Sequence, residues 1–270
     1  MRPIKAFKFC IIVVVVLIAG YYIHGGLIVQ KEIPVEGEYQ KIKGFTFSST
    51  SEIESFEEKL FSRKSTDYGI SDHEGRKCLE AISKESASAI VYKQRISRDK
   101  DVLISWEWKV EEFPSGGEME SLKKKEDFDF AAQVYVIFYS KFFLNTKAIQ
   151  YVWAEKIPAG TIGSSPYTSK VKVLVLESGM SEAWKMEKRN IREDFLKLFG
   201  YAQEKDIAAI AFMTDSDSTR SSSRAYYSNL IIEGLDALPV KRKTKKNGKG
   251  RGAEVEVKKR DNPVKKDFEL

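Results

Sequence analysis

The sequence predicts a mainly β domain, a two-sheet jelly-roll-like sandwich with one or two short helices, carried behind an N-terminal transmembrane helix. Three observations predict it. Runs of five to nine residues with strand-like composition recur from Thr66 to Ile232, separated by Asp, Gly and Ser. Few stretches between them repeat at helical spacing, which argues against an alternating α/β fold. From Phe9 to Val29 one polar side chain, His24, interrupts an apolar run that makes about 31 Å of helix, enough to cross a bilayer.

In chain order, residues 1–30 come first. Arg2, Lys5 and Lys8 precede the apolar run while Lys31 and Glu32 cancel behind it, so the positive-inside bias makes it a single-pass inner-membrane anchor. The N-terminus is then cytoplasmic and the body periplasmic. Cleavage as a signal peptide, with secretion of the body, is the alternative. The small residues that cleavage needs are poorly supplied, because Ile18 with Gly20, or His24 with Gly26, fails at the outer position. Cys10 opens the apolar run rather than following it, which speaks against lipidation. Residues 31–44, polar with Pro34, read as a linker or a first strand, and the folded domain spans 45–240.

Within it, Ile53, Phe56, Leu60 and Phe61 approximate helical spacing, and Ser51 with Glu54 resembles a capping box, predicting a short surface helix over 51–62. Strands follow at Thr66–Ile70, Lys77–Ser83, Ser88–Ile96 and Val102–Val110. In the last, Ile104, Trp106, Trp108 and Val110 share the core face while Ser105, Glu107 and Lys109 face water. Phe128–Tyr139 is apolar on both faces and is therefore central. Ile149–Ala154, Val171–Leu176, Ile207–Met213 and Tyr226–Ile232 complete the strands. One helix interrupts them: Asn190 caps it, Ile191, Phe195, Leu198 and Phe199 make its apolar stripe, and Gly200 ends it.

Residues 241–270 hold twelve Lys/Arg against five Asp/Glu and no periodic apolar pattern, a disordered basic tail suited to anionic lipid. The body from Lys31 to Val240 has 30 basic and 34 acidic side chains, a net charge of −4. That balance is no footprint for a polyanion, and nucleic acid is not an expected partner. Cys78 is alone in the body, so stability rests on packing rather than on a disulfide.

A string of motifs carries a family resemblance: Ser-Trp-Glu-Trp-Lys-Val at 105–110, Asp-Phe-Ala-Ala-Gln-Val-Tyr-Val-Ile-Phe at 129–138, Tyr-Val-Trp-Ala at 151–154 and Ser-Pro-Tyr-Thr at 165–168. Leu-Glu-Ser-Gly at 176–179, Trp184 with Glu187, Arg189 and Asn190, and Met-Thr-Asp-Ser-Asp-Ser-Thr at 213–219 continue it. Together these resemble the bacterial domain-of-unknown-function family three-zero-four-seven over roughly Phe45 to Ile232. The resemblance implies an exported β-rich domain and names no substrate. Phe128-Asp129, Gln133 and Ser228-Asn229 stand where that pattern has a paired Asp-Asp, an Arg and a Gly-Asp, so a polar site shared by relatives is depleted here.

Little in the body suits catalysis. His73, its single histidine, lies in the polar stretch Asp72–Gly75 and reads as an exposed loop residue, without a serine elbow to complete a triad. One His and one Cys do not make a zinc site. Asp215 and Asp217, two apart after a strand, can take Ca²⁺ with backbone carbonyls, the plainer reading being an Asx-type turn. Asp129, Glu177, Asp194, Asp215 and Asp217 are the carboxylates a glycosidase could draw on. For ligand binding, Tyr151, Trp153 and Tyr167 are aromatic platforms near the Pro158–Pro166 loop, with Asp129 and Arg189 as polar partners. The resulting expectation is a membrane-tethered cell-envelope binding or scaffolding module whose ligand is a glycan or another envelope component, with an envelope glycan hydrolase using paired carboxylates as the alternative.

Overall fold

The computed structural model describes residues 38–114, 120–142 and 145–236. The expected anchor at 1–30, the tail at 241–270 and the first part of the expected linker lie outside them. Two antiparallel-rich sheets face each other. Sheet A contains β1 (Gln40–Phe45), β3 (Asp67–His73), β4 (Arg76–Lys84), β6 (Lys100–Glu112), β11 (Lys185–Asn190) and β13 (Ser222–Asp236), ordered β11-β6-β13-β4-β3 with β1 also on β13. Sheet B contains β2 (Glu57–Leu60), β5 (Ala87–Ile96), β7 (Ala132–Phe138), β8 (Ala148–Ala154), β9 (Ile162–Ser165), β10 (Thr168–Ser178) and β12 (Ile207–Asp215), ordered β2-β5-β12-β7-β8-β10-β9. All neighbours pair antiparallel except β8 and β10.

The expected mainly β sandwich with few helices is therefore what forms. Alternation in β6 builds its core: Ile104, Trp106, Trp108 and Val110 are buried and meet Val134, Val136, Tyr151, Trp153 and Phe212 from sheet B. β7 lies between β12 and β8, as its two apolar faces require. Val134 and Val136 join the inter-sheet core, while Tyr135 and Ile137 pack on a second cluster around Ala209, Ala211 and Met213. The residue before Gly200 ends helix α2 (Ile191–Phe199) as the sequence indicates. Asn190 Oδ1 accepts the Glu193 N–H at 3.1 Å, and Gly200 takes φ +78° and donates to Leu196 O at 2.9 Å.

Two expectations are corrected. The helix over 51–62 shrinks to one turn, α1 (Thr50–Ile53), followed by β2 on the edge of sheet B. Ser51 and Glu54 make no capping box; Glu52 instead accepts the backbone N–H groups of Thr46 and Ser48 at 2.8 and 2.7 Å, folding the preceding loop onto the turn. Phe56 is pulled into the core, which the helical register would not allow together with pairing of residues 57–60 to β5. Of the two readings of residues 31–44, a linker or a first strand, residues 40–44 take the strand and pair with β13. β9 and β11 were not signalled by any apolar alternation, and both are edge strands.

The cap of α2 also donates from Asn190 Nδ2 to both oxygens of the buried Asp101 at 3.2 Å. Asn190→Ala is therefore expected to lower unfolding free energy by about 1–2 kcal/mol, the upper end of a cap loss, with an unchanged m-value in equilibrium urea denaturation.

Candidate functional site

At one end of the sandwich, the last residue of β12 and the turn after it meet the irregular segment before β7. Asp215 ends β12 and is 6% exposed. Its Oδ1 accepts the Phe130 N–H at 2.8 Å and Gln133 Nε2 at 2.7 Å. Gln133 is held in turn, accepting from Tyr135 Oη at 2.9 Å and Gln150 Nε2 at 2.8 Å. Asp129 is buried too, and its Oδ2 accepts both the N–H and the hydroxyl of Thr219 at 2.7 Å. One carboxylate oxygen each of Asp129, Asp215 and Asp217 lies within 4.8 Å of the others.

This arrangement is electrostatically one-sided. Burial, followed by the Asp129 carboxylate, pushes the Asp215 carboxyl well above the usual carboxylate range; burial and then Asp129 raise Asp217 as well. Like charges that close oppose ionisation of the whole group unless a proton or a cation joins it. Three hard carboxylate oxygens suit Ca²⁺ or Mg²⁺ rather than a soft metal. A polar recess of about 20 Å³ opens against Asp129 and Thr219, with Glu120, Asp127 and Glu155 in its wall, space on the scale of one water molecule. The turn reading fits only Asp217, whose carboxyl is held by its own amide and that of Ser218. Asp215 instead bonds across to another segment of the chain.

Tyr167 stands beside the acidic group. It is 58% exposed, its ring meets Phe128 edge-on at 6.1 Å, and its hydroxyl approaches Ser218 Oγ at 3.4 Å. The Lys125 ammonium lies 5.1 Å from the ring centroid. Thus Asp129, Tyr167, Asp215 and Asp217, expected separately as ligand and metal residues, converge at one place.

The other expected ligand residues do not join them. Tyr151 and Trp153 are fully buried in β8, each against an indole of β6, at 5.4 and 5.8 Å between centroids. A ring with no exposed face cannot stack on a sugar, so both are core residues rather than platforms. Arg189 is spent on a fork to Asp194, at 2.9 and 2.6 Å, and Asp194 also accepts the Tyr151 hydroxyl at 2.7 Å. That answers the burial of Asp194 and removes both residues from the list of free ligand or catalytic groups. His73 is no exposed loop residue either: it ends β3, stacks on Tyr226 at 4.0 Å, and its Nε2 is buried without a hydrogen-bond partner. Around it the outer face of sheet A is tied up in ion pairs, Arg76 with Glu107 and Lys109 with Glu74. One residue quoted in the sequence only inside a motif, Glu187 of β11, meets Glu177 of β10 across the two sheets.

No curated protein matches the chain. Among solved structures, a family 11 carbohydrate-binding module from a Clostridium thermocellum cellulosomal cellulase is 11% identical, with 76% of this chain and 98% of that one covered at a TM-score of 0.38. A xylan-binding domain from Paenibacillus barcinonensis is 10% identical, covering 74% and 97% at 0.38. The xyloglucanase domain of the Sinorhizobium fredii effector NopAA is 14% identical, covering 66% and 92% at 0.40. Likenesses this distant assign no ligand. A family model does match residues 54–231, the greater part of the chain, and the chain belongs to that family, described as protein of unknown function (DUF3047).

Proposed function

We propose that this domain is a non-catalytic glycan-binding module of the cell envelope, in which Asp129, Asp215 and Asp217 hold a Ca²⁺ ion beside the Tyr167 ring. The observation that carries the reading is the convergence of three carboxylates within 4.8 Å next to a ring that is 58% exposed. An exposed tyrosine offers an apolar face with a polar tip, and a Ca²⁺ held by a few carboxylates keeps sites open to hydroxyl oxygens. Sugar rings present both surfaces. The hydrolase reading finds less support, because glycosidase carboxyl pairs stand about 5–10 Å apart across a groove. Asp129, Asp215 and Asp217 form one tighter group, and Asp194 is committed to Arg189. The Phe9–Val29 run supports an inner-membrane tether with the domain outside. A reporter active only in the periplasm, fused after Val240, is expected to give signal; activity confined to a cytoplasmic reporter overturns this topology.

The carboxylates supply a second prediction. In chelator-treated protein the raised Asp215 pKa means that the folded state holds a proton the unfolded state has released. Its contribution to stability is complete below the unfolded value near 3.8 and is lost as pH rises through the folded one. Chelated protein should therefore melt lower at pH 8 than at pH 5. Ca²⁺ at a hundredfold excess over Kd should add about 2.7 kcal/mol, roughly 5–10 °C for a domain of this size, and Asp217→Asn should remove most of that gain. A melting curve indifferent to Ca²⁺ and chelator alike rejects the metal site.

For glycan binding itself, Tyr167→Ala is expected to leave the melting temperature in place, since the ring is mostly exposed, and to weaken glycan affinity by roughly tenfold or more, about 1.4 kcal/mol. Calorimetry against envelope polysaccharides, with and without Ca²⁺, measures it. Equal affinity in the variant would place the binding surface elsewhere.

A further inference from the structure

Between β10 and β11 the chain crosses from sheet B to sheet A, and each of these strands brings a glutamate to the crossing. A register shift between Val175 and Glu177 sets Glu177 opposite Trp153, and antiparallel pairing sets Glu187 opposite Trp106. Both partner rings belong to the inter-sheet core. The two carboxyls therefore face one another from opposite sheets at the open edge of the sandwich, half-buried and within hydrogen-bonding reach. Beneath them the Trp108 indole N–H approaches Glu187 without completing a hydrogen bond of normal geometry, and the Trp106 N–H is buried without a partner. Trp153 Nε1 anchors the start of the crossing by donating to Gly179 O at 2.8 Å.

The charges around the pair are few. On its own strand, Lys185 shares the inward face, and Arg189 is bound to Asp194 of α2 and acts on Glu187 from there; β6 and β8 contribute indoles and the Tyr151 phenol. Carboxyls in contact repel when both are ionised, so a proton on Glu187 relieves the pair. They are also too close to act on a glycosidic bond, which needs a separation of about 5 Å or more. Burial first, then the Glu177 charge, push Glu187 up to about 7, with Arg189 opposing.

We propose that Glu177 and Glu187 form a proton-sharing clasp that closes the open edge between the two sheets and releases β11 and the 179–184 crossing when the proton is lost. Because Glu187 is raised from about 4.5, its stabilising contribution is complete below that pH and disappears as pH climbs to about 7. The clasp stands independently of any glycan bound at Tyr167.

Tryptophan emission and amide exchange of residues 185–190, recorded on the full chain from pH 5 to 9, test it. The wild type is expected to show one transition near pH 7 in both signals, with the protection factors of β11 amides, taken relative to the intrinsic base-catalysed rate at each pH, falling at least about tenfold on its alkaline side. Glu187→Gln, neutral at every pH, should abolish the transition and keep the slow exchange. Glu177→Gln removes the opposing charge and should move the midpoint to lower pH, so either variant decides the matter if the other fails to fold. A flat wild-type profile, or a midpoint that both variants leave unmoved, overturns the clasp.

Discussion

Four aromatic side chains hold the two sheets together. Trp106 and Trp108 of β6 reach across the gap to Tyr151 and Trp153 of β8, ring to ring at 5.4 and 5.8 Å, and pack against each other at 5.5 Å. All four are fully buried. Each contributes on the order of 4–6 kcal/mol of gross burial, so together they rival the net stability of a whole domain, about 5–15 kcal/mol. With Cys78 free and no other cysteine in the body, nothing covalent replaces them. The other features depend on this packing, because Asp215, Glu177 and Glu187 all sit on strands whose inner faces it fixes.

Buried carboxylates mark those places, and three of them are resolved in three ways. Asp194 has a counter-cation in Arg189 and a donor in Tyr151, which accounts for its low exposure. Asp215 has amide donors but its nearest charges are Asp129 and Asp217, an imbalance that a divalent ion would reverse. Glu187 has an indole nearby and a second carboxyl, for which a proton suffices. Asp194 thus finds a full counter-charge within the fold itself, whereas on the reading proposed above the other two groups draw theirs from a cation and a proton in solution.

Legibility in the sequence followed burial geometry. β6 was readable because its alternation is strict, and α2 because cap, stripe and terminal glycine agree. Residues 51–62 misled because Ile53, Phe56, Leu60 and Phe61 sit at helical intervals, yet Phe56 alone is buried while Leu60 and Phe61 are 60% and 66% exposed. The platform reading of Tyr151 and Trp153 failed for a similar reason: all seven residues of β8 are buried, so both faces of that strand are covered. Asp215 and Asp217 were visible as a pair, but Asp129, 86 positions before Asp215, could join them only through the pairing of β7 with β12.

The Glu177 and Glu187 contact shows most clearly what alternation cannot supply. Along β10, Val173 and Val175 pack on the outer cluster with Phe128 and Phe130, while Leu174 and Leu176 face the inter-sheet core. Strict alternation would send Glu177 outward with the valines. The extra residue at the bulge inverts that parity and turns the carboxyl inward opposite Trp153. On β11 the inward positions are Lys185, Glu187 and Arg189, none apolar, which hides the strand from any hydrophobic pattern. Inward charges on an edge strand also discourage pairing with another chain. The same residues that keep this edge from aggregating thus leave a carboxyl facing the gap, and the bulge in β10 is what provides it with a partner.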